Sequence, residues 1–232
     1  MKKIVSLFAI ISFLISCNNT KSGNMIVKGN IDGLKKGTLY LQKYKDTLLV
    51  SVDSIHLNGE SNFTLADDIE TPEIYYVILD KNTNQRISFF GEKGEITINS
   101  KLSKFTTSAK ITGSKNQVLL EEHEAMAQKF SGKQLDLIKE KFDAQKIGDT
   151  SLASKIEKQG TSLIKRKYYF STNFAVNNAE YEVAPYIALT ELYNANIKLL
   201  DTINNSLSEK IRASKYGLEL KNFIENIKKT EK

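Results

Sequence analysis

From Met25 to Thr112 the apolar positions come in short runs with a period of two. Leu39 and Leu41 share one face, as do Leu48, Val50 and Val52, and Ile96 and Ile98. Side chains of a strand alternate between faces, so this spacing predicts strands with one buried side. Eight runs qualify: MIVKGNI, TLYLQKY, TLLVSVDSI, SNFTL, EIYYVIL, RISFF, EITIN and AKIT. Turn signals separate them at Asp32-Gly33, Asn58-Gly59 and Gly91-Glu92-Lys93-Gly94. So many strands in so short a stretch predict an antiparallel β-sandwich or open barrel. IYYVIL is apolar on both faces and reads as the central strand, with Pro72 just ahead of it where no ladder bond is lost.

After Gly113 the period lengthens to that of a helix. Leu119, Met126 and Phe130, then Leu135, Ile138 and Phe142, fall on one face and predict a buried stripe. Gly148 ends this helix, and Asp149 or Thr150 caps the next. The second helix carries Ile156, Leu163, Phe170 and Phe174 on one side, with a local irregularity expected at Gly160. Pro185 suits the first turn of a third helix bearing Leu189, Leu192 and Tyr193. Ser206-Leu207-Ser208-Glu209 has capping-box spacing and opens a last helix through Ile211, Leu218 and Ile227. Strands in one block and helices in another give an α+β fold, with a β-domain at 25–113 and a helical region at 114–232.

The first 24 residues follow neither pattern. Lys2 and Lys3 precede an unbroken apolar run, Ile4 to Ile15. As a helix this run spans about 18 Å, short of a hydrocarbon core of about 30 Å, but it suits a signal-peptide h-region. Leu14-Ile15-Ser16-Cys17 then resembles the lipobox of bacterial lipoproteins, in which the cysteine is acylated and becomes the new N-terminus. Residues 1–17 therefore read as a lipoprotein signal peptide, Cys17 as the lipidation site, and 18–24 as a polar tether. Asn18 is not the aspartate of inner-membrane retention, so the expected address is the outer membrane, facing the periplasm. The membrane partner is reached through the acyl chains on Cys17.

Composition narrows the chemistry further. Cys17 is the single cysteine, which excludes a disulfide within the chain and a CxxC redox centre. The net charge of +6 falls to +4 without Lys2 and Lys3, a solubility term spread over short basic runs. Nucleic acid is not an expected partner. Glu121-Glu122-His123-Glu124 is the one carboxylate–histidine cluster, but neighbouring helical positions point about 100° apart and cannot converge on one ion. It reads as a solvated acidic helix start. His56 reads as a satisfied surface or edge histidine. Asp67, Asp68 and Glu70 lack EF-hand spacing, and Ser51, Asp53 and Ser54 lack a GxSxG elbow. The Gly91–Gly94 turn reads as a hairpin loop. Tyr75, Tyr76, Phe89, Phe90, Tyr168, Tyr169 and Phe170 read as core. No catalytic, cofactor or metal residue is assigned.

Certain motifs recur in a familiar order: Val27-Lys28-Gly29 with Gly33, Asp53-Ser54 with Gly59 and Phe63, Pro72 with Tyr75, Gly94-Glu95-Ile96, then Gly113-Ser114. Over roughly Met25 to Gln128 the chain resembles the N-terminal domain of unknown function in lipoproteins related to thiol:disulfide oxidoreductases of the TlpA and AhpC/TSA type. In those relatives a thioredoxin-like domain with a CxxC follows the last helix; this chain stops at Lys232, where it would begin. The resemblance implies the module without its enzyme, and no redox role passes to any residue here. The expectation is a non-catalytic, lipid-anchored cell-envelope protein that binds an unknown protein or small molecule. The alternatives are a ligand-binding protein or unrecognised enzyme with its site between the β-domain and the helices, and an interrupted gene with the reductase encoded downstream.

Overall fold

The computed structural model describes residues 21–80, 82 and 84–230, so the expected signal peptide and lipidation site at Cys17 lie outside the described residues. All eight runs form strands: β1 (Met25–Asp32), β2 (Lys36–Lys45), β3 (Leu48–Asn58), β4 (Asn62–Asp67), β5 (Glu73–Leu79), β6 (Arg86–Gly91), β7 (Gly94–Lys101) and β8 (Lys110–Thr112). They build a sandwich of two four-stranded sheets, ordered β4-β1-β7-β8 and β3-β2-β5-β6. The sandwich is not wholly antiparallel, because β1 and β7 run parallel at the centre of the first sheet. Gly29 allows that pairing to be tight: a Cβ there would lie 1.7 Å from the Ile98 carbonyl oxygen.

The interior is filled from both sheets by Met25, Val27, Leu39, Leu41, Phe63, Leu65, Tyr75, Val77, Phe89 and Ile96. Strand β5 lies inside its sheet and is buried along nearly its whole length. Its second apolar face is explained by the helices that cover it. Ile74 and Phe90 on the outer side of the second sheet pack with Leu119, Leu120, Val183, Ile187 and Tyr216. Strand block and helix block therefore share a core. The Gly91–Gly94 segment is not a hairpin: β6 and β7 belong to different sheets, so it is a corner between them. The expected tether is also fixed in part, since Asn24 exchanges hydrogen bonds with Ile69, at 2.8 and 3.0 Å.

The helices are α1 (Lys115–Lys146), α2 (Thr150–Asn177), α3 (Val183–Glu191), α4 (Ile197–Ser206), α5 (Glu209–Arg212) and α6 (Lys215–Thr230). Helices α1 and α2 form a long hairpin. Gly148, at φ 75°, makes its turn, and the Asp149 side chain caps α2 by accepting from the Leu152 amide at 2.8 Å. Three details depart from expectation. Helix α2 runs unbroken through Gly160. Ser206 ends α4, which the sequence reading had not separated, and Ser208 caps the short α5 instead. Tyr193 lies beyond α3 and Leu218 points outward on α6, both exposed.

The largest departure concerns α1. Leu135, Ile138 and Phe142 are 67%, 57% and 56% exposed. The far half of the hairpin packs instead through Leu137, Ala144, Ala153, Ile156 and Leu163. Leu137 and Ala144 lie on the opposite side of the helix, at about 100° per residue.

Candidate functional site

Where the β-corner meets the helices, three chain segments converge on one buried asparagine. Ser114 caps α1, accepting from the Gln117 amide at 3.0 Å. Glu92, in the corner after β6, reaches the same helix start and accepts from the Lys115 amide at 2.6 Å. Helix N-termini leave unpaired amides and a partial positive charge, so a carboxylate is favoured there. The buried Asn116 then joins the parts. Its Nδ2 donates to Glu92 Oε2 at 2.8 Å and to Glu182 Oε2 at 3.3 Å, while its Oδ1 accepts from the Val183 amide at 3.0 Å.

Glu182, just ahead of α3, is the unusual member. It is only 3% exposed, and its Oε1 is buried without a hydrogen-bond partner among the described residues. Burial pushes its carboxyl group above the usual range, with its own backbone amide, Asn116 and Lys210 offsetting part of the rise and Glu92 adding to it. Buried carboxylate oxygens are costly to leave unpaired. Glu182 forms part of the wall of a pocket of about 360 Å³ whose rim carries Glu70, Lys93, Lys115, Glu180 and Lys210. The pocket joins the sandwich, α1, the α2–α3 link and α5.

A second polar cluster lies nearby and works differently. Lys43 donates to Asp67 at 2.8 Å and to the Tyr75 hydroxyl at 2.9 Å, and Tyr75 donates to Asp67 at 2.6 Å. Glu73 accepts from Lys215, which also donates to the Tyr44 carbonyl at 3.1 Å. Burial alone would lower the Lys43 pKa, but Asp67 and Glu73 outweigh it and the net shift is upward. Burial, then Asp67, holds the Tyr75 hydroxyl far above its ordinary value. With every group paired, this cluster is a tie between α6 and the sheet.

The residues singled out in the sequence are dispersed. His123 is not solvated: it is 1% exposed, stacks on Phe170 and bonds Ser171 Oγ at 2.9 Å. Burial lowers its pKa. Ser171 is equally buried, so this pair is a satisfied core contact. His56 does sit exposed on edge strand β3, facing Thr38 at 3.1 Å. Asp53 is held by Lys21 and by the Ala66 amide, and Asp68 caps the Asn24 amide. Tyr75, Phe89 and Phe90 are core, while Tyr169 is exposed beside Lys165 and Lys198. Sequence reasoning missed Glu92, Asn116 and Glu182. The Ser114–Gln117 spacing, that of a capping box, was the available signal.

Residues 25–120 match the family described as Domain of unknown function (DUF4369). The match takes in the whole sandwich and the first turns of α1. It ends at Leu120, where α1 has just finished packing on Phe90. The DUF4369 segment thus supplies Glu92 and Asn116 to the pocket, and Glu182 comes from beyond it. No curated protein and no solved structure matches the chain. Among the described residues no helix is long and apolar enough to cross a membrane.

Proposed function

We propose that this chain is a non-catalytic, lipid-anchored cell-envelope module, held through Cys17 at the outer membrane and facing the periplasm. Its task is to bind a small ligand bearing a protonated amine in the pocket between the DUF4369 segment and the helices. The observation that carries the ligand reading is that Glu182 lines the pocket and its buried Oε1 has no hydrogen-bond partner among the described residues. A cationic N–H donor there would supply the missing hydrogen bond and neutralise a buried charge. A pocket of this volume lies in the range of small-molecule sites. The anchor reading rests on Lys2-Lys3, the Ile4–Ile15 run and Leu14-Ile15-Ser16-Cys17. Two acyl chains make membrane attachment stable where one is marginal. On this reading the chain is an accessory module, apart from any redox domain, of the TlpA-type lipoproteins that its sequence resembles.

Two measurements test the halves separately. Intact mass of protein from native membranes is expected to show acyl chains on Cys17 and no free thiol; an unmodified, thiol-reactive chain overturns the anchor. Thermal unfolding titrated with putrescine and with lysine is expected to show a saturable rise in midpoint. At one hundred times Kd the stabilisation is about 2.7 kcal/mol, or roughly 5–10 °C for a chain of this size. An uncharged diol serves as the control. No rise with either amine, or an equal rise with the diol, sinks the ligand reading.

A further inference from the structure

The apolar stripe on α1 continues the side of the helix that meets the sheet. Gln117 accepts from the Phe90 amide, and Leu120 packs beside the Phe90 ring. Leu135, Ile138 and Phe142 fall on that same side, within about 60° of one another, but stand beyond the sheet and are exposed among the described residues. Ile147, just past the end of α1 at the hairpin turn, lies off this stripe but at the same far end of the hairpin, and is 77% exposed. Lys139 and Lys146 border the stripe on one side and Lys141, which donates to Glu157 of α2 at 3.0 Å, on the other; the Lys146 ammonium lies 4.7 Å from the centre of the Phe142 ring.

Charge is concentrated in the same place. Between Lys129 and Lys167 there are ten Lys and Arg and five Asp and Glu, a net +5 out of +6 for the whole chain. The net positive charge read as diffuse in the sequence is thus concentrated in the far part of the hairpin, while the start of α1 carries Glu121, Glu122 and Glu124. We propose that the far end of the α1–α2 hairpin docks on an anionic lipid surface, with Leu135, Ile138, Phe142 and Ile147 entering the headgroup boundary and Lys139 and Lys146, with Lys141 leaving Glu157, meeting lipid phosphates.

The observations favour lipid over the other occupants. A second copy would bring Lys139, Lys141 and Lys146 against their own kind in either helix orientation. The four exposed side chains offer roughly 450 Å², about half of what each partner contributes to a stable dimer. Apolar side chains flanked by lysine are the pattern of interfacial helices, where insertion and attraction to anionic headgroups add. This contact lies in a part of the chain remote in sequence from Cys17 and does not rest on the anchor or on the amine pocket.

The test is an environment-sensitive dye on Ile147→Cys in the full chain carrying Cys17→Ser. Vesicles of phosphatidylcholine with one-third phosphatidylglycerol should shift the emission to the blue and shield the dye from aqueous iodide; pure phosphatidylcholine should do neither. Salt of about 1 M, with a screening length near 3 Å, should weaken the effect. Converting Lys139, Lys141 and Lys146 to Gln should weaken binding about tenfold or more. Leu135→Ser with Phe142→Ser, both at exposed positions, should abolish the shift. An unshifted dye on a vesicle-bound chain overturns the proposal. So does a shift without vesicles: if it grows with protein concentration the occupant is a second copy, and if it does not, it is the chain's own Ile4–Ile15 run.

Discussion

Replacing Phe90 by alanine lowers the thermal midpoint by roughly 10–15 °C, because it removes the residue on which strand block and helix block meet. The ring is fully buried and meets Tyr186 edge-on at 5.4 Å and Tyr216 at 6.0 Å. The two tyrosines lie 5.2 Å apart, so the three rings close a cluster. Truncating a buried phenylalanine costs about 3–5 kcal/mol, which a chain of about 200 residues reads as 2–4 °C for each kcal/mol. The polar bonds around the ring depend on the same alignment. The Phe90 amide donates to Gln117 at 2.8 Å, and the Ile74 amide to the Tyr216 hydroxyl at 2.9 Å. Both amides sit where a strand has no neighbour to pair with, and each would be left unpaired if the helices moved away. Circular dichroism at a helical and at a strand wavelength should fall together, in wild type and variant alike. A drop of under about 3 °C, or a helical transition lowered while the strand transition stays, would show that the two blocks fold separately.

The strands were legible because their signal is local. Period-two alternation in TLYLQKY and EITIN, and turns at Asn58-Gly59 and Gly94, need no knowledge of the rest of the fold. Even the double-faced burial of β5 could be read, since a strand apolar on both sides must be covered on both. Its cover could not be named, because Tyr216 and Val183 come from over a hundred residues away. The parallel β1–β7 pair was hidden for the same reason: strand pairing is nonlocal, and alternation says nothing of direction.

Helix α1 shows the opposite failure. Leu135, Ile138 and Phe142 have the spacing of a buried face, and periodicity alone gives no reason to doubt it. The hairpin chose Leu137 and Ala144 instead, because a small residue such as Ala144 lets two helices approach closely. The stripe left over is free for an external surface. His123 was misjudged in a related way: three acidic neighbours suggested solvent, but at about 100° per residue they can face water while the imidazole turns inward to Phe170 and Ser171. The pocket was out of reach for a different reason. Glu92, Asn116 and Glu182 lie on segments far apart in sequence, and two glutamates among 27 acidic residues carry no mark of their own.

Glu182→Gln should separate stability from binding. The amide keeps the shape and an oxygen for Asn116 Nδ2 to donate to, but carries no charge. In the wild type, burial raises the folded-state pKa of Glu182 above the ordinary glutamate value of 4.5. The folded protein therefore holds its proton more tightly than the unfolded chain. The neutral carboxyl's contribution to stability is complete below the ordinary value and is lost as pH rises through the raised one. Glutamine does not titrate, so the variant should match the wild type in acid and gain on it as pH climbs above about 4.5. Binding should move the other way. A protonated amine favours the ionised carboxylate, so wild-type affinity for putrescine should strengthen over the same window. The variant should bind at least about 100-fold more weakly at neutral pH, in line with losing a charge-assisted bond. A variant more stable than wild type at neutral pH and unable to bind identifies Glu182 as a ligand group rather than a structural one. A variant that matches the wild type in acid but is less stable at neutral pH would instead show that the ionised carboxylate serves the fold through Asn116 and Lys210.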